Sequence, residues 1–199
     1  MERIEIGSWP IVIADGELLL KPLRMRDKAA WEEVRARNRE WLDPWEATRP
    51  IINGRPDSEL TLPSYFSMVR QYAREARALR SISLGLWSLE QNKPRFIGQI
   101  TLGGIVFGAM RGAHIGYWID QKYAGRGLTT RAVTAITEYG FSELDLHRIE
   151  INLRPENLAS EKVAQKAGYS FEGVRLRYLH INGEWRDHLT YIKENPNIR

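Results

Sequence analysis

Apolar residues recur at helical spacing twice within the first eighty positions. Across residues 27–42, Trp31, Val34, Trp41 and Leu42 stand among charged neighbours, which predicts an amphipathic helix ending near Pro44. Residues 64–80 repeat the pattern with Tyr65, Met68, Val69, Tyr72, Ala76 and Leu79. Between them, residues 44–63 hold Pro50, Asn53-Gly54 and Pro56 and read as a long loop, a feature that is often functional in compact domains. The period then shortens. Residues 82–89 and 96–102 are apolar β-type runs joined by Gln91-Asn92-Lys93-Pro94, which predicts a hairpin. In residues 113–120, Ile115, Tyr117 and Ile119 alternate with Gly116 and Trp118, as a strand requires. A helix follows the turn Gly125-Arg126-Gly127 and runs to about Phe141, with Leu128, Ala132, Ile136 and Tyr139 on one face.

Residues 148–153 alternate Ile149, Ile151 and Leu153 against Arg148, Glu150 and Asn152, giving another strand. Residues 158–167 form a short helix stopped by Gly168, and residues 169–193 read as two strands turning at Asn182-Gly183. Two helices, a three-strand meander and then alternating strands and helices predict a mixed α/β domain of α+β type with a central, mostly antiparallel sheet.

With 199 residues, 43% hydrophobic and 27% charged, the chain suits one core, so residues 1–199 are expected to form one domain. This composition excludes a fibre, a disordered tail and a repeat array. The absence of cysteine removes thiol nucleophiles, disulfides and thiolate metal sites. His114, His147, His180 and His188 show no metal-ligand spacing, so no metal is expected. The longest nearly apolar run, residues 100–110, is too short to span a bilayer, and no signal-peptide run follows Met1. These features point to a soluble, cytoplasmic protein with no membrane partner. A net charge of +4 suits an anionic ligand or nucleic acid. Arg70, Arg74, Arg77 and Arg80 recur at helical spacing, either as a solvated face or as an RNA-binding stripe.

The most informative stretch is Asp120-Gln121-Lys122-Tyr123-Ala124-Gly125-Arg126-Gly127-Leu128-Thr129. A strand enters a glycine turn that opens a helix, and a helix N-terminus offers unpaired N–H groups and partial positive charge to a phosphate. Lys122, Arg126 and Arg131 add cationic side chains. No Gly-Lys-Ser or Gly-Lys-Thr occurs, which excludes a Walker loop. Thr130 stands where a dinucleotide fingerprint needs its third glycine.

The glycine turn resembles the pyrophosphate loop of the GCN5-related N-acetyltransferases (GNAT), and Asn157, Ser160, Val163, Gly168-Tyr169 and Glu172-Gly173 resemble their C-terminal half. Residues 182–188, Asn-Gly-Glu-Trp-Arg-Asp-His, are similar to the closing strand of the RimJ/RimL branch, which acetylates the N-terminal amine of ribosomal proteins. Trp41-Leu42-Asp43-Pro44-Trp45-Glu46 resembles the loop after the first helix of RimJ. The resemblance extends from about Leu18 to Tyr191. It departs from the family's loop pattern at Ala124 and Thr129, where Gln/Arg and Gly/Ala are usual, and retains Gly127.

The resemblance implies a GNAT fold of about seven strands flanked by four helices. It also implies an acyltransferase using acetyl-CoA on a protein N-terminal Ala or Ser amine, ribosomal in the leading case. The pantetheine arm would enter between a strand ending at Trp118 and Ile119 and the splayed strand 148–153. N–H groups of Arg126, Gly127, Leu128 and Thr129 would hold the pyrophosphate, with Tyr123 and Gly125 in the same loop. Asn157 would bond the pantetheine amides. Many relatives use a tyrosine at the position of Ala164 to handle the leaving thiolate; here Ser160 is the available hydroxyl. The family's glutamate positions hold Asn152 and Leu179, so Asn152 would order a water with Glu150 acting through it, although Glu150 reads equally as an ion-pair partner of Arg148. Trp45, Tyr178 and Trp185 would line the acceptor groove, with Asp187 answering the substrate's positive charge. A GNAT acting on a small amine such as a polyamine or aminoglycoside, and a ribosome- or RNA-binding assembly factor of the same fold, are the alternatives. Either a monomer or a homodimer fits.

Overall fold

The computed structural model describes residues 9–52, 55–56, 64–90 and 93–198, and the side chains of 52, 55 and 56 are left aside. The start of the chain, the Asn53-Gly54 turn, residues 57–63 of the predicted loop and the Gln91-Asn92 turn lie outside the described residues. Strands β1 (Ile13–Asp15) and β2 (Leu18–Lys21) precede helices α1 (Lys28–Arg37) and α2 (Arg39–Leu42). A 3-10 turn at Asp43–Trp45 leads to the small ladder β3 (Ile51–Ile52) and β4 (Arg55–Pro56), and then to α3 (Tyr65–Arg77). The meander β5 (Ile82–Glu90), β6 (Lys93–Val106) and β7 (Gly112–Ile119) follows. The chain continues through α4 (Leu128–Ser142), β8 (Arg148–Leu153), α5 (Leu158–Lys166), β9 (Ser170–Ile181) and β10 (Glu184–Glu194).

Eight strands form the main sheet in the order β1-β2-β5-β6-β7-β8-β10-β9. Every pairing is antiparallel except β7 with β8. The larger apolar cluster packs α4 and α5 on one face. Leu128, Ala132, Val133, Ile136 and Ala164 meet Ile100, Leu102, Ile149 and Ile151 there. A smaller cluster joins α1 and α3 to Trp87 and Phe96 through Val34, Tyr65 and Val69, with Trp118 against it. Because apolar residues cover both sides, the middle strands read as nearly continuous hydrophobic runs rather than as alternation.

The fold adds to the sequence expectation in two places. β1 and β2 have only three and four residues, and Leu18-Leu19-Leu20 carries no period because Leu18 and Leu20 enter the larger cluster while Leu19 packs on the smaller one. The first predicted helix is interrupted at Asn38, whose amide Nδ2 donates to Val34 O at 2.8 Å and to Asp120 Oδ1 at 3.0 Å. These differences bring the totals among the described residues to eight main-sheet strands and five α-helices.

The parallel pair sets up the site. β7 and β8 are in register only at Gly112–Arg148, Ala113–Ile149 and His114–Glu150. Beyond His114 the strands separate, so Ile115–Ile119 of β7 has no ladder partner on the β8 side. This opening is the splay that the family resemblance implies.

Candidate active site

β7 ends at a buried carboxylate. Asp120 Oδ1 accepts the Lys122 N–H at 3.2 Å and the Asn38 amide, while Oδ2 meets the Arg37 guanidinium. Burial raises its pKa, but the hydrogen bonds from Arg37, Asn38 and the Lys122 N–H outweigh that and hold it below the ordinary carboxylate value. Asn38 also accepts the Gln121 N–H at 2.9 Å, and Trp41 Nε1 donates to Ile119 O at 3.2 Å. The junction of α1 and α2 is thereby fastened to the start of the glycine loop.

Gly125 and Gly127 sit at φ +77° and +79°, the left-handed region that glycine enters without strain. A Cβ on either would meet no atom within 4 Å, so the loop's outer surface is open. Gly127 caps α4 with no side-chain hydrogen bond, and among the described residues the first-turn N–H groups have no hydrogen-bond partner, which leaves them to a ligand at that opening. These groups fit a pyrophosphate. The nearby cations differ from the expected ones. Arg131 turns away to Asp15 at 2.7 Å, and Arg126 lies over the Tyr123 ring at 4.9 Å. Lys162 and Lys166, one turn apart on α5, line the cleft instead.

This cleft encloses about 730 Å³. It gathers Trp45, Trp118, Ile119, Gly125, Gly127, Thr129, Asn157 and Ser160 from the residues that the sequence singled out. Leu128 is buried and Arg126 points elsewhere, so each offers only its main chain to the loop. Tyr123 is buried and donates to Glu90 at 2.7 Å, holding the loop from beneath.

The Asn157 side chain caps α5 by accepting the Ser160 N–H at 3.0 Å. Its Oδ1 is thus engaged, and its amide N–H groups are the part it can offer to a ligand. The same bond fixes Ser160 in the first turn of α5. Tyr117, which the sequence showed only as a strand position, lies in the cleft and donates its hydroxyl to Ser160 O at 3.3 Å. Burial pushes this phenol up to about 12, so it stays protonated at neutral pH.

The remaining sequence candidates stand outside the cleft lining. Asn152 Oδ1 accepts the Thr190 hydroxyl at 2.8 Å. Glu150 is buried between Arg148 at 3.1 Å and Arg175 at 2.7 Å, so its ion-pair reading describes what it does here. Asp187 Oδ1 accepts the Arg177 N–H at 2.7 Å. Tyr178 stacks beneath Arg175 at 4.9 Å, and Trp185 meets His180 edge-on at 5.5 Å. Both lie on the β9–β10 hairpin. On α3, Arg70, Arg74 and Arg77 are solvent-facing, and Arg80 just beyond it is paired with Glu75 at 2.6 Å.

Another wall is built by the end of α1, by α2 and by the turn after it. Arg35, Trp41, Leu42, Trp45 and Glu46 line it. Arg35 pairs with Glu46 and stacks over Trp118 at 5.2 Å, while Arg154 stacks over Trp45 at 5.5 Å and donates to Pro44 O at 2.9 Å. Residues 46–48 are pinned to the hairpin by Asn182 N to Glu46 O at 3.0 Å and Thr48 N to His180 O at 2.9 Å. Among the described residues no group of three or more His, Asp or Glu side chains is placed to hold a metal, and no helix is long and apolar enough to cross a membrane.

Residues 17–170 match the acetyltransferase (GNAT) domain family. The chain is 30% identical over 180 residues to YjcK of Bacillus subtilis, described as a probable N-acetyltransferase, covering 90% of this chain and 95% of that protein. It is 29% identical over 175 residues to the ribosomal protein uS5-alanine N-acetyltransferase of Escherichia coli, covering 87% and 86%. The structure of Mycobacterium smegmatis RimJ in complex with CoA-disulfide superposes with a TM-score of 0.82 at 33% identity, over 96% of this chain and 90% of that one. On the family match to most of its length, and on the similarity to its relatives, the chain belongs to the GNAT acetyltransferase family.

Proposed function

We propose that this acetyltransferase moves the acetyl group of acetyl-CoA to the N-terminal α-amino group of a protein, a ribosomal protein in the leading case, in the cytoplasm. The observation that carries the reading is one continuous cleft. It joins the free N–H groups of α4, the β7–β8 gap and a tryptophan-lined mouth under the turn after α2. Similarity to the uS5-alanine enzyme and to RimJ supports the α-amine as acceptor.

The N–H groups of Gly127, Leu128 and Thr129, with Lys162 and Lys166 nearby, hold the pyrophosphate. Main-chain groups of the unpaired β7 segment, together with the Asn157 amide, orient the pantetheine arm. Acetyl-CoA supplies an activated acyl group as its thioester. The chain's tasks are to bring the amine to it, polarise the carbonyl through a β7 N–H and stabilise the departing sulfur. Ser160 donates a hydrogen bond to that sulfur, and Tyr117 holds the Ser160 turn in place. Burial holds the Tyr117 phenol protonated, so its hydroxyl keeps donating to Ser160 O. An α-amine with a pKa of about 7.7–8.0 is partly neutral near pH 7.5, so no strong base is required.

The direct test is to incubate the protein with acetyl-CoA and peptides beginning Ala, Ser, Thr or Met, each with an internal lysine, and to locate the acetyl group by fragmentation. The label is expected on the α-nitrogen; label on the lysine alone overturns the reading. Ser160→Ala is expected to lower kcat about tenfold while leaving CoA affinity unchanged, as for a group acting on the leaving atom. An unaltered kcat would give the sulfur to another donor.

A further inference from the structure

An acceptor amine reaches any such site largely as a cation, and the carboxylate that the sequence offered for it, Asp187, is spent on a backbone N–H outside the cleft. Glu150 is no substitute, because its side chain is 10% exposed and clamped by two arginines. Among the described residues that line the cleft, the carboxylates are Glu46 and Glu156. Glu156 stands next to Asn157 at the start of α5. It is bonded by its own N–H and sits 3.2 Å from Arg154, on the wall that carries Lys162 and Lys166. That wall is built for anions.

Glu46 stands on the wall built by α2 and the turn after it. Arg35 holds its Oε1, Oε2 accepts no hydrogen bond among the described residues, and the side chain keeps 42% of its surface exposed. The guanidinium that orients it stacks over Trp118, on the part of β7 that has no strand partner. Glu46 is therefore one residue removed from the gap, in a cleft that Trp41, Trp45 and Trp118 also line. A half-exposed carboxylate that keeps one oxygen without a partner among the described residues is a receptor for a primary ammonium, whose N–H groups it accepts.

Resting on the acetyl-transfer reading above, we propose that Glu46 is the acceptor-binding carboxylate, receiving the positively charged amino group of the substrate and delivering it to the β7–β8 gap. Arg35 is its positioning residue. The proton that the amine must shed before attack passes to Oε2 and on to solvent, which reaches this side chain. The amine nitrogen then forms the C–N bond as the C–S bond breaks, and the second proton that it loses in becoming an amide goes to the departing thiolate.

The test is Glu46→Gln, which keeps the side-chain size and the main-chain clamp to Asn182. Steady-state KM is measured for an N-terminal Ser peptide, for spermidine and for an alkoxyamine, which is uncharged at the assay pH. CoA affinity is titrated alongside. The variant is expected to raise KM for charged acceptors roughly 10- to 100-fold, the loss of a hydrogen bond to a charged group, with alkoxyamine KM and CoA affinity unchanged. Glu46→Asp should recover part of the loss. An unchanged KM for charged acceptors overturns the proposal, and so does an equal rise for charged and uncharged acceptors, which would mark a structural role. If the wild type turns over spermidine but no peptide, and Glu46→Gln still raises the spermidine KM, the α-amine reading fails while the role of Glu46 stands.

Discussion

Gly127→Val is expected to abolish measurable CoA binding while leaving the protein folded. Gly127 holds φ +79°, a conformation that a β-branched residue adopts only at a cost of about 1–2 kcal/mol. Nothing lies within 4 Å of the added Cβ, so no packing clash adds to that cost and only a modest fall in Tm should follow. The open space is the consequence that matters. The isopropyl group would fill the approach to the first-turn N–H groups of α4, and any relief of φ would turn those groups off axis. Titration calorimetry with CoA should show affinity reduced roughly 100-fold or more, equivalent to at least about 2.7 kcal/mol. Wild-type affinity in the variant would place the pyrophosphate somewhere other than this loop.

Asp120→Ala is expected to produce the largest loss of stability at any single polar position. The side chain is 1% exposed and joins Arg37, Asn38 and the Lys122 N–H, so its removal strands a partly buried guanidinium and a buried amide. Breaking a buried pair in this way typically costs about 3–5 kcal/mol. Denaturant unfolding should show that loss in the midpoint at unchanged slope. CoA affinity should fall too, because the same contacts fasten the α1–α2 junction to the glycine loop. A loss below about 1 kcal/mol would mean that the network is replaceable by water. The acid response follows from the same group. Its folded pKa is depressed, so its contribution is complete above the unfolded value near 3.9 and disappears as pH falls through the lower folded value. The wild type should therefore lose stability over that acid window more steeply than Asp120→Ala.

The cofactor half was legible in the sequence because local rules govern it. A strand, two glycines and an apolar helical period appear in order between Ala113 and Phe141, and Asn157 followed by Ser160 three residues later is a helix start. The short strands β1 and β2 escaped because a pattern needs length to show. The Asn38 break escaped because its reason, Asp120, lies 82 residues away. The acceptor half was hidden for a related cause. Asp187, Tyr178 and Trp185 look available in sequence, yet a register shift in the β9–β10 pairing turns Asp187 toward the Arg177 N–H. Glu46 was visible in the Trp41–Glu46 block, but only the turn after α2, pinned to the hairpin, brings it to the cleft. Lys162 and Lys166 look like a solvated helix face until α5 is placed beside the glycine loop. Residues whose roles depend on long-range docking carry no local signal.

Thiol release from acetyl-CoA, followed with a Ser- or Ala-initiated peptide against the same peptide with its N-terminus blocked and against spermidine, decides the matter most directly. Rapid release with the free α-amine, and little with the blocked peptide or spermidine, is the predicted result. Equal release with the blocked peptide, or turnover confined to spermidine, would contradict it.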